Sequence, residues 1–236
     1  MIAYCLADVF NLDLWPRHKP PVQPEVEEGL HDLIGQVISA VPSATEVTIR
    51  LYGGWHRETL TAPVDMRHMM SRAIENNPKR YRAQRIRVQL ADHPIWDSAT
   101  RLTRSLVESP MTRVSVRLSP AEHCAFPHSC TLDALSSWCS GKCPEQECPV
   151  RLRQVAQRRR QKMVDTLLTA DAMAIIQDGR AHAVIIASDD ADMIPALLAL
   201  SASDVSLTHL RRRVAGGPVT LYDHVFEKTG SHIRSW

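Results

Sequence analysis

The chain has 236 residues, enough for one α/β domain with embellishments or for two small domains. Its 44% apolar content is ordinary for a globular protein, and a net charge of +2 excludes a polycation that coats nucleic acid along its whole length. No apolar stretch is long enough to span a bilayer, and the N-terminal MIAYCLADVF has neither a basic lead-in nor a small-residue cleavage site, so a cytoplasmic protein with no membrane partner is expected.

Residues 2–10 form a short apolar run closed by Asp8 and Asn11, which reads as a buried first strand. A connection rich in proline (Pro16, Pro20, Pro21, Pro24) leads to Val26, Leu30, Leu33, Ile34, Val37, Ile38 and Val41. These recur at helical spacing until Pro42 stops the helix. EVTIRLYGG, 46–54, is rich in strand formers and ends in a glycine pair that suits a turn. A polar helix over 64–77 precedes two alternating strands, 85–91 and 112–118. A cysteine-rich segment then occupies 123–149.

A helix is expected over 150–177, basic at its start and apolar later, with Val164, Leu167, Leu168 and Ile175 on the buried face. The strand 182–187 follows, then the helix DMIPALLALSA, then VSLTHL and VTLYD as closing strands. Strands alternate with helices, and the first and the 183–187 strands are continuous apolar runs. The expected fold class is therefore α/β, a mostly parallel sheet with helices on both faces. With no repeat or linker, the chain reads as one domain over 1–236, with the cysteine-rich segment as an insertion within it.

The run Val184-Ile185-Ile186-Ala187 breaks into Ser188-Asp189-Asp190-Ala191-Asp192. In open parallel sheets, functional groups gather beyond the carboxyl ends of the strands. Asp8 ends one strand, Asp190 and Asp192 follow another, and Asp165 lies on the helix before the second. If those strands are neighbours, four carboxylates converge. Unaided they repel, and some are forced to stay protonated. A divalent cation reverses this, and oxygen-only ligands favour Mg²⁺ or Mn²⁺ over zinc. Taken singly, each has a plainer use: Asp192 as a helix cap, Asp8 as a loop residue, Asp165 as a solvated helix residue.

KMVDTLLTADAMAIIQDGRAHAVIIASDDADMIPAL resembles the second half of an NYN domain, a branch of the PIN-like ribonucleases. Lys162 and Asp165 match the family's Lys-x-x-Asp helix. Ser188, Asp190 and Asp192 match its Ser-Gly-Asp-x-Asp-Phe turn, with Asp189 in place of the glycine and Met193 in place of the Phe. Asp8-Val9-Phe10-Asn11 fits the Asp-x-x-Asn that closes the family's first strand. The likeness covers 158–200 and 2–12 and is absent from about 55 to 150. It implies metal-dependent cleavage of RNA, with Asp8, Asp165, Asp190 and Asp192 around Mg²⁺ or Mn²⁺. Asn11 would then orient a carboxylate, a water or a phosphate, and Ser188, also a substrate-binding candidate, would hold the loop or a metal-bound water. Asp171, near the buried helix face, is a candidate supporting group.

Five of the six cysteines, Cys124, Cys130, Cys139, Cys143 and Cys148, fall in the 123–149 segment with His123 and His128. Zinc takes four such ligands in pairs held by short turns, and Cys130, Cys139, Cys143 and Cys148 are the expected set, for a structural site. The alternative is a cluster of free thiols. Cys5, inside the first strand, reads as core.

Arg158, Arg159, Arg160 and Lys162 precede Asp165 and supply positive charge for a phosphate backbone, unless they are only a solvated face. Lys162 and Arg158 are the substrate-binding candidates. Trp15, Tyr52, Trp55 and His56 either stack bases at the rim or belong to the core. Two other functions stay open on the sequence: an inactive module of the same fold that binds RNA or protein, and a metal-dependent phosphatase. A protein partner or self-association is left open as well.

Overall fold

The computed structural model describes residues 1–12, 14–15, 21–56, 65–77, 80–81, 83–100, 105–110, 142–143, 145, 147–155, 157–161, 163–212 and 232–235, with backbone alone for 65, 80, 106–110, 155 and 157–161. The expected strands 112–118 and 219–223 lie outside the described residues, as do Cys124, Cys130, Cys139 and Lys162. The chain divides into two compact units, 1–105 with 161–236, and 106–160.

The larger unit is built on a seven-stranded sheet. In chain order its strands are β1 (Ile2–Asp8), β2 (Glu46–Tyr52), β3 (Arg80–Tyr81), β4 (Gln84–Leu90), β7 (Ala183–Ala187), β8 (Ser206–Arg211) and β9 (His232–Ser235). They lie in the order β3-β4-β2-β1-β7-β8-β9. All pairs are parallel except the edge pair β3–β4. The chain moves outward from β1 through β2 to β4, then returns to the other side of β1 with β7. The strand order therefore reverses between β1 and β7.

Helix α1 (Gln23–Ala40) buries Val26, Leu30, Leu33, Ile34, Val37 and Ile38, the apolar stripe that the sequence periodicity marks. Pro24 suits its first turn, and the Glu25 carboxylate accepts the Val22 N–H at 3.1 Å. It packs with α2 (Asp65–Asn76) on one face of the sheet, against Ala3, Cys5, Ala7, Ile49 and Ile185. A Cβ on Gly29 would stand 2.6 Å from the Leu14 carbonyl oxygen, so glycine lets α1 press against the loop that follows β1. On the other face, α3 (Val164–Asp178) and α4 (Ile194–Ser201) cover Leu6, Val184 and Ile186. Alternate residues of β1 and β7 thus enter two separate cores, which is why both runs are apolar throughout. Cys5 is fully buried, and burial pushes its thiol pKa up.

The expected helix over 150–177 is corrected. A single helical turn, Leu152–Val155, gives way to strand β6 (Gln157–Gln161), which pairs with β5 (Leu106–Pro110) in a two-stranded sheet. Helix α3 starts only at Val164, after Met163 takes a left-handed conformation with φ 64°. Apolar residues at helical spacing begin at Val164 as well. Arg158, Arg159 and Arg160 are therefore strand residues. At its other end α3 stops on Gly179, whose φ of 66° is the ordinary glycine cap.

Candidate metal centre

The Ala7–Ala187 pairing places the ends of β1 and β7 side by side, at the point where the strand order reverses. Crevices form there because the connections on either side diverge. Asp8 closes β1, Asp190 follows β7, and Asp165 sits in the first turn of α3. One carboxylate oxygen from each of Asp8, Asp165 and Asp190 lies within 4.8 Å of the others. The convergence expected of these three is thus present in the backbone arrangement and in the side chains.

Asn11 ties two of them together. Its Nδ2 donates to Asp8 Oδ2 at 2.6 Å and to Asp190 Oδ2 at 2.9 Å. The turn that carries it forms because the Phe10 N–H reaches Asp8 Oδ1 at 3.3 Å and the Asn11 N–H reaches the Asp8 carbonyl, also at 3.3 Å. Ser188 is fully buried, and its hydroxyl accepts the Asp190 N–H at 3.1 Å. Its carbonyl meets His209 Nε2 at 3.0 Å. Ser188 therefore shapes the loop from inside. Asp190, not Asp192, caps the 3₁₀ turn Ala191–Met193, accepting the Asp192 N–H at 3.0 Å. Asp192 itself is exposed and stands outside the group of three. It is still near enough for its charge to act on Asp165. Asp189, where the resemblance leads one to expect glycine, pairs with Arg211 at 3.6 Å.

The electrostatics follow from this crowding. Burial raises the Asp8 pKa from 3.8 to about 6; the neighbouring Asp165 adds to the rise, and the Asn11 hydrogen bond opposes it. Burial raises Asp165 too, and the charges of Asp190 and Asp192 push the same way. Three hard oxygen donors that are costly to ionise together fit a divalent cation such as Mg²⁺ or Mn²⁺.

Asp8 makes the stability of the fold depend on pH. A carboxyl whose pKa is higher in the folded state stabilises the fold while protonated, below about pH 4, and that contribution is lost as pH rises through about 6. The difference is about 3 kcal/mol. In chelator, wild type should lose about that much more stability than Asp8→Asn between pH 4 and pH 7. Denaturant melts across this range test it, and parallel pH profiles for the two proteins would refute the assignment.

Arg158 is on β6, in the smaller unit. Lys162 lies outside the described residues, and α3, which carries Asp165, begins at Val164. Tyr52 and Trp55 are fully buried, which corrects the base-stacking alternative for both. Trp55 donates Nε1–H to the Leu51 carbonyl at 3.0 Å, and Phe10 packs between Trp55 and Trp15. A position at or just after a strand end suggests a rim; Tyr52 closes β2 and both side chains point inward.

In the smaller unit, Cys143 and Cys148 are described. A Glu145 backbone hydrogen bond pulls the Cys143 thiol pKa down, but desolvation and a hydrogen bond with the Cys148 thiol outweigh it and raise it. The two thiols are therefore neighbours.

Two groups escape a reading of the sequence. Asp171 is fully buried and takes Arg50 Nε at 3.0 Å, the Tyr52 hydroxyl and the Ile95 N–H at 2.9 Å. Its near-core position is legible in the sequence, but its partners are not. Beyond β4, Asp92 binds His93 Nδ1 at 2.8 Å and Arg67 at 3.1 Å, with His56 at 3.8 Å. Burial works to raise the Asp92 pKa, but the hydrogen bonds from His93 and Arg67 outweigh it and hold it low. The end-of-strand rule that picks out Asp8 applies equally to Asp92. Comparison with family models, curated proteins and solved structures finds no match to this chain.

Proposed function

We propose that this protein is a metal-dependent endoribonuclease that works at Asp8, Asp165 and Asp190. The observation that carries the reading is their approach within 4.8 Å at the point where the strand order reverses. The NYN resemblance supports it, since Asp8, Asn11, Asp165, Ser188 and Asp190 are residues it singles out. A divalent cation held by these carboxylates would supply the charge that polarises a phosphodiester and stabilises its leaving oxygen. Asp8, Asp165 and Asp190 bind and orient it. Asn11 holds Asp8 and Asp190 at a fixed separation, and Ser188 holds the Asp190 loop at its angle. Asp192, exposed beside this group, adds negative charge that strengthens cation binding. Lys162 and Arg158 are proposed phosphate contacts on sequence grounds alone.

A structural zinc in the cysteine segment is proposed on similar grounds. Cys143 and Cys148 supply two of four ligands, and Cys130 and Cys139 are the sequence's candidates for the others.

The test is degradation of single-stranded RNA by purified protein in Mg²⁺ or Mn²⁺, with chelator as the control. Loss of RNA only with the cation present is the expected result. Tight RNA binding without turnover would favour the inactive module, and phosphate release from a small phosphoester with RNA intact would favour a phosphatase.

A further inference from the structure

We infer that a second, arginine-lined cleft on the α3 side of the large sheet binds the phosphate backbone of the RNA strand, away from the carboxylate centre. The cleft has a volume of about 150 Å³ and is lined by Arg85, Arg87, Arg180, Tyr4, Thr48 and Glu46, among others. Tyr4, Thr48 and Arg87 are register partners across β1, β2 and β4, so they stand on one face. Arg180 reaches it from just past the end of α3. The cleft lies over the amino-terminal half of β1, β2 and β4, where Tyr4, Glu46, Thr48, Arg85 and Arg87 line it. Tyr4 lies four residues before Asp8 on β1, which puts the cleft about 13 Å from the carboxylates along the strand.

Charge decides the ligand class. Three guanidinium groups face one lining carboxylate, Glu46. Glu46 stands 3.8 Å from Arg85, a pair whose side chains are 55% and 68% exposed. Arg180 pairs with Asp178 at 2.7 Å, also in the open. Exposed pairs of this kind contribute little, so a phosphate can take over either arginine at small cost. Arg87 meets no carboxylate among the described residues. Arg85 and Arg87 project from the same face of one strand, so their like charges lie close together. Nothing in the fold requires this arrangement, whereas an anion would relieve it. Guanidinium groups grip phosphate oxygens in pairs, and the hydroxyls of Tyr4 and Thr48 offer further donors.

Arg80 is the register partner of Arg85 at the sheet edge, which adds a fourth basic position beside the cleft. A run of phosphates, rather than one small anion, matches that spread of charge.

The inference rests on the proposed ribonuclease reading only in naming RNA as the strand. The test is anisotropy binding of a short single-stranded RNA in chelator, over a salt series, with wild type and Arg87→Ser/Arg180→Ser. Both side chains are on the surface, and matching thermal midpoints will show that the variant folds. We expect affinity to fall about tenfold at low salt and the salt slope to drop by about 1.4, two contacts at about 0.7 each on single strands. Equal affinity and parallel slopes would overturn the cleft. So would displacement of the RNA by polyglutamate as readily as by polyphosphate, because carboxylates would then serve as well as phosphates. The two readings fail separately: RNA bound through these arginines but never cut would refute the nuclease and keep the cleft, and RNA cut while binding ignores them would do the reverse.

Discussion

Asp190→Asn should abolish cation-dependent RNA cleavage while leaving the fold and the affinity for RNA close to wild type. Asp190 does two structural jobs besides offering a ligand oxygen. One oxygen caps the Asp192 N–H and the other accepts from Asn11. Asparagine caps a helical turn about as well as aspartate, so the loop should persist. The amide nitrogen that replaces the second oxygen cannot accept from Asn11, which loses about 1 kcal/mol. Removal of one charge from a crowded trio offsets that loss, because Asp165 no longer feels its repulsion. The metal-binding side suffers without compensation. Loss of a supporting partner alone commonly lowers metal affinity or activity about 10–100-fold, so loss of a direct ligand should cost at least about a hundredfold in cleavage. Cleavage assays with matched thermal melts check this. A purified variant that cuts at the wild-type rate would remove Asp190 from the centre.

The largest stability effect is expected at Asp171. Arg50 is 1% exposed and Asp171 is wholly buried, so each charge depends on the other. Arg50 also donates to the His93 carbonyl, and Tyr52 donates its hydroxyl to Asp171. Burial drives the Tyr52 pKa well up, and the Asp171 charge beside it reinforces the rise. Asp171→Leu strands a guanidinium in the core and should cost about 3–5 kcal/mol. Arg50→Met/Asp171→Leu should recover most of that, since an apolar pair of similar volume removes both desolvation penalties. Urea melts of the two variants at neutral pH are the measurement. A single variant within about 1 kcal/mol of wild type would show that the pair does not hold β2 to α3. The pair matters for the site as well: Tyr52 is the register partner of Asp8, and Asp171 shares its helix with Asp165.

Much of this is legible in the residues alone. The apolar runs at 2–8 and 183–187 announce strands buried on both faces, and the stripe from Val26 to Ile38 announces α1, because burial on a regular element imposes its period on the residues. Asp8 and Asp190 are legible because charge at the end of an apolar strand is costly unless something uses it, and Asp165 because the Lys-x-x-Asp likeness marks it. The break before Val164 is not. Arginine and glutamine are good helix formers, and only pairing with β5, some fifty residues earlier, makes 157–161 a strand. The open arginine cleft is equally hidden, since Arg180 lies far in sequence from Arg85 and Arg87.

The class of fold, the helix and strand faces and the carboxylates worth watching can be read from the residues, because all of them depend on local spacing and on the cost of burying charge. That β1 and β7 are neighbours comes from the folded chain. It alone separated Asp192 from the trio, turned Tyr52 and Trp55 inward, and gave Asp171 the partner that makes its burial tolerable. Each of those outcomes depends on contacts between residues distant in the chain, and such contacts leave no period in the sequence because either partner alone is compatible with many neighbours.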